Sequence, residues 1–285
     1  MKNFEVTAND VKFPAELPEL ILLCGPCRSG TTALSNIFVQ ACIESHMQPL
    51  KSIRRAKATG EKIPIWELAG KNGIAHSKET FGEKENSEFF NPVEILLNLG
   101  YPSEKLKVIM MLRDPAQILT SWERLYGESV KRKNLARAFF LTDKVRTYCK
   151  SNDIKTIPYV HEAIKYNNPG LVVFHLFQIL GINNFSSNFV NWEKSPKFGD
   201  KNTSNNHLHF YDSPPEKFIE GVRDWGGYTY RSYNITSSNS NRLPATMHQI
   251  YESFRSECSS YLNLKIHDST KASSSKLEEA MVDCM

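Results

Sequence analysis

The sequence predicts an α/β protein, a single domain with a central parallel β-sheet flanked by helices. Three repeats of one pattern predict it, each a short apolar run closed by a turn and followed by residues with helical spacing. The first is Leu20-Ile21-Leu22-Leu23-Cys24, closed by Gly25-Pro26, with apolar positions Leu34, Ile37, Phe38, Ala41 and Cys42 along a helix expected from Thr31 through Glu44. An uninterrupted apolar strand suits burial on both faces, as in a parallel sheet.

The second repeat is Lys107 to Leu112, running into Arg113-Asp114-Pro115. Asp114 suits a helix N-cap and Pro115 the first helical position, with Ile118, Leu119, Trp122 and Leu125 at helical steps. Between these units, Gly73 to His76 reads as a short strand, and Asn91-Pro92 opens a helix through Leu99. The third repeat is a strand over Ile154 to Val160, whose Pro158 marks a sheet edge, and a helix from Pro169 through Leu180 that stops at Gly181.

The α/β core thus covers about residues 19–183; its strand-helix units share a pattern but no repeated sequence, and no linker divides it. Residues 184–245, rich in Asn, Ser, Gly and aromatics, read as loops covering substrate and nucleotide. A last helix is expected over about 247–262, and a loose tail over 270–285.

Composition excludes several classes. Of 285 residues, 40% are hydrophobic and 23% charged, which is inconsistent with disorder across the chain. A net charge of +4 does not mark a nucleic-acid binder. No apolar run approaches the ~20 residues that span a bilayer, and Met1 to Asp10 has no apolar signal core, so the expectation is a cytoplasmic protein with no membrane partner. The three N-x-[ST] sequons, at Asn184, Asn202 and Asn234, then have no role. Six scattered cysteines read as reduced thiols, and the C-x-x-C of Cys24 and Cys27 lacks the second pair that a zinc site needs; no metal is expected.

Two loops carry the functional signal. Gly25-Pro26-Cys27-Arg28-Ser29-Gly30-Thr31-Thr32 holds the glycines of G-x-x-x-x-G between strand and helix, where backbone N–H groups and the positive helix end can cradle an anion. Arg28, Ser29, Gly30, Thr31 and Thr32 would line that cradle. Nucleotide hydrolases need Lys directly after the second glycine, and here Thr31 stands there. The cation has moved to Arg28, which favours a short charged group over a triphosphate with Mg²⁺. The plain alternative is a glycine turn with a surface arginine.

Arg113, at the carboxyl end of the second strand, and Ser121, two turns into the next helix, would lie at one end of the sheet and could hold a second phosphate. The alternatives are Arg113 paired to an exposed carboxylate, or Asp114 as a Mg²⁺ ligand.

With G-x-x-R-S-G-T-T after the first strand and R-D-P-x-x-x-x-x-S after a later one, the chain resembles the sulfotransferases that use 3′-phosphoadenosine 5′-phosphosulfate (PAPS), which have a P-loop nucleotide-binding fold. The resemblance implies that Arg28 to Thr32 hold the 5′-phosphosulfate and that Arg113 and Ser121 hold the 3′-phosphate. Pro158 to Glu162, Asn168-Pro169 and Phe177 to Ile182 match a further stretch of the family in order, the first part loosely, so the likeness covers about Glu19 to Asn183. Departures are Arg28, where many cytosolic members carry Lys, and Ala33, where they carry an aromatic.

The base that takes the acceptor's proton is less defined. His76-Ser77-Lys78-Glu79-Thr80 is similar to the family's "K-T-H" stretch, but Thr80 occupies the position of the histidine. His76 and Glu79 are both candidates for the base, with Lys78 and Arg28 assisting the bridging oxygen. Glu44, His46 and Glu67 are in reserve, and His207 and His209 flank Leu208. Trp225, Tyr228, Tyr230 and Tyr233 cluster around Arg231, which joins the nucleotide-binding set; the aromatics could stack on adenine or acceptor, or close the core.

The expectation is sulfuryl transfer from PAPS to a hydroxyl or nitrogen of a small molecule, in the manner of secondary-metabolite enzymes, including those acting on guanidinium alkaloids of the saxitoxin kind. Glu67, Glu79 and Glu83 could receive such a cation. A small-molecule kinase and a non-catalytic nucleotide-binding protein are the alternatives. The sequence does not define the oligomeric state.

Overall fold

The computed structural model describes residues 4–69, 73–82, 86–127, 132–192, 207–212, 226–235 and 243–266. Its chain order gives strands β1 (Val11–Lys12), β2 (Glu19–Pro26), β3 (Glu44–Met47), β4 (Trp66–Glu67), β5 (Ile74–Phe81), β6 (Leu106–Leu112), β7 (Lys155–Val160) and β8 (Leu208–Phe210). The helices are α1 (Thr31–Gln40), α2 (Pro49–Thr59), α3 (Pro92–Asn98), α4 (Pro115–Tyr126), α5 (Arg132–Ser151), α6 (Ala163–Tyr166), α7 (Pro169–Leu180) and α8 (Ala245–Leu262). Six strands form one parallel sheet in the order β7-β6-β2-β5-β3-β8, and β1 pairs separately with β4.

Local chemistry explains the elements. Leu20 to Cys24 of β2 and Val108 to Leu112 of β6 are buried, as strands covered on both faces must be. Asn91, Asp114 and Asn168 cap α3, α4 and α7 with side-chain oxygens, each followed by proline at the first position. Gly181 ends α7 in the left-handed region at φ 75°, where glycine has no Cβ to strain. Pro158 is tolerated because β7 is an edge strand.

Two expectations are corrected in extent. The helix foreseen from Thr31 to Glu44 stops at Gln40, and Glu44 opens β3 instead. The short strand foreseen at Gly73 to His76 runs to Phe81, because its polar side chains find partners inside the protein. The buried apolar residues form one cluster that includes α8 through Met247, Phe254 and Leu262. Residues 270–275, Asn202, Glu83 and Trp225 lie outside the described residues.

The chain passes from β2 to β3 and β5 on one side, then crosses to β6 and β7 on the other. The order of strands therefore reverses at β2, and the crevice outside the carboxyl ends of β2 and β6 is where an open α/β sheet binds ligand.

Candidate active site

The loop after β2 is built by its glycines. A Cβ on Gly25 would stand 2.1 Å from the Met111 carbonyl oxygen of β6, and one on Gly30 would stand 2.7 Å from His161 Nδ1. Gly30 also has φ +99° as the N-cap of α1. Arg28 takes φ 72°, a conformation costly for a side chain with Cβ. The turn is held by the Ser29 hydroxyl donating to Pro26 O at 2.8 Å and by Cys27 N donating to Phe81 O at 3.1 Å. The first-turn N–H groups of α1 have no intrahelical acceptor, which leaves them free to meet an anion at the helix start.

The second loop meets the first. Arg28 Nε donates to Ser121 Oγ at 3.1 Å, and Trp122 Nε1 on the following residue donates to Cys27 O at 2.9 Å. Arg113 is buried beside them. Its Nη2 donates to Arg231 O and, at 3.4 Å, to Gln117 Oε1; its guanidinium lies 5.2 Å from the ring centres of both Tyr230 and Tyr233. The buried Nε–H of Arg113 has no hydrogen-bond partner. An unmatched charged donor beside an anion cradle is costly unless a ligand accepts from it. Arg113, Ser121, Arg28 and the glycine turn thus form one cationic cluster.

Residues 226–235 lie over it. Gln117 accepts from Tyr233 N at 2.7 Å and donates to Tyr233 O at 3.0 Å, clamping that segment onto α4. Burial raises the Tyr233 phenol, but hydrogen bonds to Ser121 and Arg28 and the charge of Arg113 outweigh burial and lower it. Tyr228 belongs to the core, its hydroxyl 2.9 Å from that of Tyr159. Arg231 supplies its carbonyl to Arg113, while its side chain is exposed.

Lys78 comes to the same cradle from β5. It is buried, and its Nζ donates to Thr32 Oγ1 at 3.0 Å, which places an ammonium at the start of α1.

His76 is two residues back on the same face of β5, deep in the sheet. Its Nε2 lies 2.9 Å from Ser35 Oγ, its Nδ1 lies 3.1 Å from Ile21 O, and its ring stacks on Phe38 at 4.3 Å. Burial lowers its pKa to about 3, keeping it neutral. The expected base role of His76 is corrected on this ground: both nitrogens are engaged inside the core.

Glu79 points to the opposite face. Its Oε1 accepts from Leu50 N at 2.8 Å and its Oε2 from Lys51 N at 3.2 Å, so the side chain caps α2 from a distant strand. This commitment corrects its expected role as base. Burial pushes its carboxyl up to about 8, against the lowering effect of those N–H donors and of Lys51 and Lys78. Between the unfolded value near 4.5 and about 8, the folded chain holds the extra proton. Glu79 therefore makes stability fall as pH rises through that window, by at most about 1.4 kcal/mol per pH unit. His76 has the opposite sign below about pH 6.5, where the unfolded chain binds the proton. Urea unfolding between pH 6.5 and 8 is expected to show a falling stability that Glu79→Gln flattens; an unchanged slope counts against the assignment.

Thr80, where a base was expected, is fully engaged. Its hydroxyl meets Gln48 Oε1, Cys27 Sγ at 3.1 Å and Lys51 Nζ at 3.4 Å, and Lys51 Nζ is 3.7 Å from Glu88. Sequence reasoning missed Gln48 and Lys51, because nothing in their spacing tells that α2 packs against the end of β5. Glu67 is exposed and paired to Lys12 at 2.6 Å, Glu79 is buried against the first turn of α2, and Glu83 lies outside the described residues.

The sequence model of the family described as Sulfotransferase domain matches residues 18–174, more than half of the chain. The chain belongs to the sulfotransferase family. The matched span of this sulfotransferase begins beside β2 and ends inside α7, so it contains both loops, Lys78 and the crevice between them. The family carries out sulfuryl transfer and typically draws the group from PAPS. No individual curated protein matches the chain. No helix of the described residues is long and apolar enough to cross a membrane.

Proposed function

We propose that this sulfotransferase takes its sulfuryl group from PAPS and delivers it to a hydroxyl or nitrogen of a small molecule. The observation that carries this reading is the 3.1 Å contact between Arg28 and Ser121, beside the unmatched Nε–H of Arg113. Two loops 93 residues apart thereby form one surface suited to an anion at each end. The absence of a cation directly after Gly30 and the presence of Arg28 within the turn favour a short phosphosulfate over a triphosphate with Mg²⁺.

In this reading Arg28 and the N–H groups at the start of α1 neutralise the 5′ end of the donor, and Thr31 and Thr32 add hydroxyl donors. Arg113 and Ser121 hold the 3′-phosphate. Lys78 faces the bridging oxygen, where negative charge grows as the bond to sulfur breaks. Positioning and charge neutralisation carry the reaction, since the described His76 and Glu79 are both occupied elsewhere.

Calorimetry with 3′,5′-adenosine bisphosphate is expected to show binding that does not need Mg²⁺, and Arg113→Ala to weaken it by about 1.5–3 kcal/mol, roughly 10–150-fold. Tighter binding of ATP with Mg²⁺ would replace this reading by a kinase, and unchanged affinity in the variant removes Arg113 from the site. Release of adenosine bisphosphate from PAPS with a phenol or amine acceptor then tests turnover.

A further inference from the structure

The edge of the sheet away from the cradle carries a second cluster of chemistry-bearing side chains. β3 and β8 pair in parallel with His46 opposite His209, so both imidazoles stand on one face. Glu44, two residues before His46, shares that face. Its Oε1 is 3.0 Å from His46 Nε2 and 3.8 Å from His209 Nε2. The three donor atoms all lie within 4.8 Å of one another.

The tautomer of His46 decides what this cluster is. His46 is buried, and its Nδ1 is 2.7 Å from the hydroxyl of Tyr211. Nε2 is fully buried and makes no hydrogen bond of acceptable geometry, although the Glu44 carboxylate is 3.0 Å away. In the tautomer that carries Nε2–H, that buried donor is left without an acceptor of good geometry; in the one that donates Nδ1–H to Tyr211, Nε2 turns a lone pair toward a carboxylate oxygen. Such an approach in a buried place needs a positive charge between the two atoms. An imidazole whose far nitrogen donates to a second group is also the usual support of a metal ligand. Glu44 is oriented likewise, with Ala69 N donating to Oε1 at 3.1 Å.

We propose that Glu44, His46 and His209 bind one divalent transition ion of the zinc class. Two imidazoles and one carboxylate form a borderline-soft donor set of the kind zinc takes, and a fourth position is left to water. Zinc bonds of about 2.0–2.2 Å set neighbouring ligand atoms about 3.3–3.5 Å apart in a tetrahedron, within the spread seen here. The imidazole planes are parallel, 14° apart, and the side chain of His209 is 42% exposed. Binding turns the exposed ring until its Nε2 points at the same place as that of His46. The ion would staple the short β8 to β3, which lies far earlier in the chain.

The test uses the full chain, stripped with a chelator and titrated with Zn²⁺ and Co²⁺. One ion per chain is expected, with four-coordinate cobalt bands, no sulfur-to-cobalt charge transfer, and a Tm that rises with zinc. His209→Ala and Glu44→Gln, each folded by circular dichroism, are expected to lower affinity by more than the about 10–100-fold typical of outer-shell partners, and His209→Ala to lose the rise in Tm. His209 is the safer variant, since its side chain is partly exposed. No stoichiometric ion, affinity unchanged in both variants, or a sulfur charge-transfer band that puts the ion on cysteine would each overturn the proposal and leave a histidine–carboxylate pair.

Discussion

Lys78→Met is expected to lower kcat by about 10²–10³-fold, or about 2.7–4 kcal/mol, the scale of one well-placed donor to developing charge. Met keeps most of the length and apolar stem, so the change is close to removal of an ammonium. Lys78 Nζ is buried at the first turn of α1, 3.0 Å from Thr32 Oγ1, where a charge acts through little water. In the proposed site its attraction to the donor is modest before reaction, because Arg28 and the helix N-terminus would already meet the anion, and grows as the leaving oxygen becomes an anion. The signature is a fall in kcat with a smaller change in affinity for 3′,5′-adenosine bisphosphate, read by calorimetry beside release of the bisphosphate from PAPS. Equal losses in binding and turnover would make Lys78 a ground-state contact, and unchanged turnover would remove it from the reaction.

How far the sequence could be read follows from where its information lies. The loop after β2 was legible because apolar strand, glycine turn and helix are adjacent in the chain, and each has its own local rule. Asp114-Pro115 was legible for the same reason, as a cap visible within a few residues. The α1 boundary was misread because Ala41 and Cys42 continue the apolar spacing, although the chain turns there with Cys42 at φ 57°. β3 could not be seen, since Glu-Ser-His-Met has no strand pattern and is buried only by what packs on it.

The site divides in the same way. Arg28 and Arg113 were read each in its own loop, and the meeting of those loops depends on strand order, which no single segment encodes. His76 and Glu79 were candidate bases because they lie in the stretch similar to the family's K-T-H, where Thr80 takes the place of the histidine. A strand alternates its faces, however, and β5 sends Glu79 to α2 while it keeps His76 under α1. Thr80 differs again, being engaged by Gln48 and by Lys51 of α2, a helix that sequence patterning did not reveal.

Gly25→Ala is expected to destabilise the fold by at least about 3 kcal/mol, the upper range for overpacking a core, and to abolish nucleotide binding in what still folds. The cause is not conformational, since no left-handed φ is involved. An added Cβ would lie 2.1 Å from the Met111 carbonyl oxygen and 3.1 Å from its carbon, and both are backbone atoms of β6. A side chain could rotate away; a paired strand cannot. β2 and β6 are held together from Leu20–Leu106 to Cys24–Met110, so relief of the contact must part the two strands just beyond the last pair. That is the place where Arg28 meets Ser121, and parting it separates the two loops that the proposed nucleotide site joins. Gly60→Ala provides the control: Gly60 has φ +79° but nothing within 4 Å of an added Cβ. Its cost is expected to stay at about 1–2 kcal/mol, that of a Cβ in the left-handed region. Urea unfolding of both variants, with calorimetry on 3′,5′-adenosine bisphosphate, checks this. A Gly25→Ala protein with the stability and affinity of the wild type would mean that β2 and β6 do not approach as closely as the loop geometry requires.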